Sequence, residues 1–317
     1  MNTQFLTACL YLMLAQIAAA DPTAKLTFKV VDDFGKPVAG AIVRMSSYDY
    51  SAKDPLGKGR TAATDTNGVA TLTRKSRTQY VGIGILPQEG FYYTRSDDYW
   101  FKEVKNGKWQ PWNPTVELVL KPILNPVVAY RNAATPTIPE VGKFIGFDLM
   151  AGDWVAPYGK GVTADFNFKF ELKQPFQNPL EPFDAFLTLT FSNEDDGIQS
   201  VLAHPRIGST LHMPRYAPEQ GYESQLVRRL YREKGKPIQP EPKPDQNYFF
   251  RIRTVKKDGE IVSALYGKIH GDIGFDFFHS PTAIIVFGYS LNPEPNSRNM
   301  EFDPKQNLFQ KPKAARK

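Results

Sequence analysis

The sequence predicts an all-β fold: two tandem antiparallel β-sandwich domains after an N-terminal signal peptide. Three observations carry this. Apolar and polar residues alternate with period two at Leu26, Phe28 and Val30, at Phe166, Phe168, Phe170 and Leu172, and at Tyr248, Phe250, Ile252 and Thr254, as in strands with one buried face. Turn pairs that tolerate positive φ, Asn67-Gly68, Asn106-Gly107 and Asp258-Gly259, punctuate the alternation. A proline-interrupted run at 125–139 divides it and reads as a short stiff linker or a crossing strand with loops.

Residues 1–20 hold no charged side chain, run apolar from Phe5 and close on Ala18-Ala19-Ala20 before Asp21-Pro22, the pattern of a cleavable secretory signal. The n-region lacks its usual cation. The run is shorter than the ~18 apolar residues of a membrane span, so no transmembrane segment is expected in the mature chain. The single cysteine, Cys9, completes a lipobox-like Leu6-Thr7-Ala8-Cys9, but too few apolar residues precede it for a lipoprotein signal, and it reads as a bystander. The mature chain then has no thiol, which excludes disulfides and thiolate zinc sites.

The net charge of +6 is local rather than spread. The tail 311–317 carries +4 and the stretch 228–243 carries another +4, leaving the rest slightly acidic. A nucleic-acid-binding face needs cations distributed along it, so no nucleic-acid partner is expected. Expected localisation is export to the periplasm or the extracellular space.

In the first domain, expected over 21–124, Leu26, Phe28 and Val30 face inward and Lys29 outward. A second strand follows at Ala41 to Met45, further strands flank Asn67-Gly68, and Tyr80 to Leu86 and Thr115 to Lys121 complete the unit. The residues Gly35-Lys36-Pro37-Val38-Ala39-Gly40-Ala41, followed by Thr64-Asp65-Thr66-Asn67-Gly68, resemble the carboxypeptidase regulatory-like and transthyretin-like group of Ig-type sandwiches over about 24–123. The resemblance implies a scaffold with a tight Asn-Gly hairpin and no chemistry of its own.

The second domain, expected over 140–310 before the basic tail 311–317, opens with Phe144 to Leu149. Strands follow at Phe166 to Lys173, Phe186 to Phe191, Tyr248 to Thr254 and Ile261 to Ile269, and Ala283 to Tyr289 is apolar enough to be buried on both faces. Tyr222, Leu226, Val227, Leu230 and Tyr231 fit helical spacing and predict a short amphipathic helix. No family is recognised for 140–317.

Chemistry-bearing patterns are sparse. His204, His212, His270 and His279 form no metal-spaced pair, Glu194-Asp195-Asp196 lacks calcium-loop order, and no nucleophile elbow or P-loop is present. No metal, cofactor or catalytic residue is expected. The densest aromatic stretch is Phe91 to Trp112, where Asn106-Gly107 makes a hairpin that pairs Phe101 with Trp112 and sets Trp100, Val104 and Trp109 on the other side. Tyr99, Trp100, Trp109 and Trp112 are therefore the candidate ligand platform. Its rings would pack between domains, meet a protein partner or stack on a glycan. The expected function is an exported, non-enzymatic structural or interaction module of a bacterial cell envelope or the extracellular space. The alternatives are a carbohydrate-binding module and a hydrolase using Asp272 and Asp276 of the C-terminal domain.

Overall fold

The computed structural model describes residues 20–47, 59–176, 178, 180–203, 208–279 and 282–309. Residues 1–19 of the expected signal segment, Cys9 among them, His204 and the basic tail 311–317 lie outside these. The described chain is all-β. In order its strands are β1 (Thr23–Val31), β2 (Ile42–Ser47), β3 (Arg60–Ala63), β4 (Val69–Lys75), β5 (Tyr80–Ile85), β6 (Thr94–Arg95), β7 (Asp97–Trp100), β8 (Glu103–Lys105), β9 (Lys108–Gln110), β10 (Thr115–Val119), β11 (Val127–Ala134), β12 (Ile145–Asp148), β13 (Asp153–Trp154), β14 (Phe166–Gln174), β15 (Phe183–Thr190), β16 (Gly197–Leu202), β17 (Gly208–Ser209), β18 (Gln225–Arg232), β19 (Gln246–Lys257), β20 (Glu260–Asp276), β21 (Ile284–Leu291) and β22 (Phe302–Asn307). They divide into two compact units, 1–86 with 96–118, and 87–95 with 119–317.

The first unit is a sandwich of two sheets, β10-β1-β9-β8 with β4 beside β1, and β3-β2-β5-β7. Ala24, Leu26, Phe28 and Val30 are fully buried, as are Val43, Met45 and Val81 on the other sheet, while Lys29 turns out to Glu117. The Asn67-Gly68 turn is not the hairpin expected. β3 pairs with β2 and β4 with β1, so the chain crosses from one sheet to the other at this corner. Asp65 explains the difference, because its carboxylate accepts the amides of Asn67 and Val69 while its carbonyl accepts Gly68 N, which holds a type I turn with only Gly68 at positive φ. A side chain at Gly68 would meet the Val30 carbonyl at 2.4 Å.

In the second unit a six-stranded sheet, β16-β19-β20-β21-β11-β22, faces a five-stranded sheet, β13-β12-β14-β15-β18. Phe166, Phe168, Phe170, Leu187, Tyr248, Phe250, Ile269, Phe287 and Tyr289 fill the core between them. The run 125–139 contributes β11, which pairs with β21, the prolines staying outside the ladder at Pro126 and Pro136. Asp258-Gly259 makes its hairpin, with Lys257 opposite Glu260.

Two expectations fail here. Gln225–Arg232 is a strand, β18, along the edge of the five-stranded sheet, not a helix. The strand reading sets Leu226, Arg228 and Leu230 on one face, and the cation is tolerated there because Asp272 meets it in an ion pair. Ala283 to Tyr289 is not buried on both faces, since Val286 is exposed while Ile285 and Phe287 are core.

Candidate functional site

The aromatic stretch splits at a sheet crossing. β7 pairs with β5, whereas β8 belongs to the other sheet and pairs with β9 across Asn106-Gly107, both at positive φ. Phe101 lies at the crossing, so strand parity does not run through it. Phe101 therefore stacks on Trp109, centroids 6.0 Å apart, rather than facing Trp112. Both are buried, and the Trp109 indole N–H donates to the Ser76 carbonyl at 3.0 Å. Tyr99 packs edge-on against Phe101, and burial raises its phenol above the ordinary range.

The other two rings stay outside. Trp100 is 61% exposed and stacks on Tyr80, its cross-strand partner, at 4.6 Å and 30°. Val81, next to Tyr80, is fully buried, so the pair occupies the outer face of the four-stranded sheet. Trp112 sits under Lys108 and Lys25 at 4.8 and 5.9 Å. Lys25 alternates with buried Ala24 and Leu26, which places Trp112 on the outer face of the opposite sheet. The four candidate residues thus do not form one platform: Tyr99 and Trp109 support the core, and Trp100 and Trp112 point away from each other.

A second site, not anticipated, lies in the larger unit on the side of the six-stranded sheet away from its main core. Pairing register sets Lys268 of β20 opposite Ser290 of β21, and Ser290 opposite Arg131 of β11. Two residues along, His270 faces Gly288, which faces Ala133. Because Gly288 and Ala133 are short, a cavity of about 590 Å³ opens beside His270, lined also by Thr210 and His212, and a lobe of about 260 Å³ adjoins it over Lys268 and Tyr92. Lys268 is 3% exposed, donates to the Met300 carbonyl at 2.7 Å, and is pushed down to about 7, first by burial and then by Lys121 and Arg131. Burial, with Lys268, Arg131 and His212 adding, holds His270 down at about 3.

Four carboxylates elsewhere in the unit, Glu301, Asp272, Asp276 and Asp196, are committed. Glu301 accepts the amides of Leu124 and Asn125, the Tyr92 hydroxyl and Arg215. Asp272 is paired with Arg228 and accepts the Tyr248 hydroxyl at 2.6 Å, and Asp276 caps the Phe278 amide. Asp196, from the acidic loop, accepts the amides of Arg253 and Thr254 and so holds a bulge with Arg253 at φ 53°. No cluster of three or more metal-ligating side chains occurs among the described residues. No helix among them is long and apolar enough to cross a membrane.

No protein-family model matches the chain, and no curated protein sequence matches it. Among solved structures it is similar to a mutant form of the shaft pilin SpaA from Lactobacillus rhamnosus GG, at 12% identity over 56% of this chain and 90% of that one, with a TM-score of 0.25. It is also similar to a DUF3823 family protein from Parabacteroides merdae, at 8% identity over 89% and 100%, TM-score 0.24. A streptococcal ancillary pilin matches at 12% identity over 83% and 58%, TM-score 0.25.

Proposed function

We propose that this chain is an exported, non-enzymatic interaction module of the cell envelope or extracellular space, and that its N-terminal sandwich is a carboxypeptidase regulatory-like scaffold. The observation that carries the reading is the Tyr80–Trp100 stack, a flat pair of rings held by strand pairing with the indole turned to solvent. An exposed ring of this kind gains by covering its face with an apolar surface. Carbohydrate is the favoured ligand class, because the C–H face of a sugar matches a flat indole. The hydrolase alternative is disfavoured by the commitment of Asp272 to Arg228 and Tyr248 and of Asp276 to a turn. Export rests on the apolar segment before Asp21. A glycan array probed with the full mature chain and with Trp100→Ala tests the reading. Binding to at least one glycan that the variant loses supports it, and equal signals from both proteins, or none, contradict it.

A further inference from the structure

We infer that the cavity over Lys268, Ser290, Arg131 and His270 is a binding site for a small organic oxyanion, a carboxylate or a phosphate ester. The inference is independent of the Trp100 face.

The geometry begins with the cross-strand row. Directly opposed residues on adjacent strands stand about 5 Å apart, so Lys268 and Arg131 flank Ser290 at roughly that distance on either side. Arg131 borders both lobes, Ser290 the larger and Lys268 the smaller, so an anionic ligand spanning the two would meet all three side chains. The Ser290 hydroxyl is buried, its residue 1% exposed, and has no hydrogen-bond partner. The Arg131 guanidinium meets no carboxylate within ion-pair distance among the described residues, and its backbone, not its side chain, is what Asn307 binds. Lys268 uses one of its three protons on Met300. A buried hydroxyl left unpaired, as at Ser290, costs stability until a partner reaches it.

The surroundings point to the same ligand. His270 and His212 line the cavity, His270 as a neutral imidazole, and the cation Lys121 donates to the Leu211 and Met213 carbonyls behind it. Glu301 is the nearby acid, and it is neutralised by Arg215 and occupied by Tyr92 and two amides. An incoming anion would supply the charge that Lys268 and Arg131 lack, and guanidinium against carboxylate or phosphate is the strongest such pairing. The cavity falls within the range of small-ligand sites, and Gly288 and Ala133 leave the space that the rest of the ligand would fill.

Calorimetric titration of the full chain at pH 6.5 and low salt tests the site, with inorganic phosphate, glucuronate and, as neutral control, glucose. Binding of phosphate or glucuronate without glucose supports it, and which of the two binds separates a phosphate ester from a carboxylate. Arg131→Gln should weaken that binding at least tenfold and Ser290→Ala several-fold, while Trp100→Ala leaves it unchanged. Should Arg131→Gln fail to fold, Arg131→Lys and Ser290→Ala carry the comparison. No heat from either anion, or anion binding indifferent to both Arg131 and Ser290, overturns the inference.

Discussion

Trp109 lies 6.0 Å from Phe101, 29° from parallel, and donates its indole N–H to the Ser76 carbonyl at 3.0 Å. The contact ties the β8–β9 hairpin into the core of the first unit. Trp109→Ala should cost about 3–5 kcal/mol in urea unfolding, as for a large buried aromatic side chain. Trp109→Phe keeps the ring contact and leaves the carbonyl unpaired, so about 1–2 kcal/mol is expected. Trp100→Ala should cost less than either.

Gly267 faces Phe250 across β19 and β20, and a Cβ there would lie 2.1 Å from the phenylalanine ring. Phe250 is fully buried among Phe166 and its neighbours and has no room to withdraw. Gly267→Ala should therefore destabilise the second unit by about 3 kcal/mol through overpacking. Gly274→Ala, whose Cβ would meet nothing nearer than 3.9 Å, is the control expected to unfold close to wild type.

Glu301 joins three stretches of the second unit by accepting from Leu124 and Asn125, from Tyr92 and from Arg215, and its carboxyl is held below the ordinary range because these donors outweigh burial. Glu301→Gln leaves the Arg215 guanidinium buried without its counter-charge. A loss of about 3–5 kcal/mol in denaturant unfolding is expected at pH 7. The stabilisation is present above the unfolded carboxyl value and lost as pH falls through the lower folded value, so wild type and variant should converge in acid.

His270 is held at about 3, against 6.5 when unfolded. Between these values the unfolded chain binds a proton that the folded chain refuses, so stability falls as pH drops from 6.5 towards 3. His270→Gln should flatten that part of the pH profile, by about 4–5 kcal/mol at most. Lys268 acts on the alkaline side: with its value lowered from 10.5 to about 7, stability should rise with pH across that window, and Lys268→Met should abolish the rise.

Strand content was legible because alternation and turn residues are local. Phe166, Phe168 and Phe170 declare a buried face, and Asp258-Gly259 declares its hairpin, without reference to the rest of the chain. Partners distant in sequence were not legible. The crossing between β7 and β8 breaks the parity that would place Phe101 against Trp112, and Arg228 in a strand resembles the polar side of a helix as long as Asp272 beside it is out of view. Scattered His212 and His270 meet in one cavity because segment 208–213 and β20 both border it. The row Lys268–Ser290–Arg131 joins residues whose register is set by β21 lying between β20 and β11, and no short pattern in the sequence records that order.

The most direct test of the account is affinity electrophoresis of the protein through gels containing the polysaccharides identified by array, comparing Trp100→Ala, Trp112→Ala and Trp109→Phe. The Tyr80–Trp100 face predicts that Trp100→Ala abolishes retardation while Trp112→Ala and Trp109→Phe retain it. Retardation lost with Trp112 and kept without Trp100 would contradict the account.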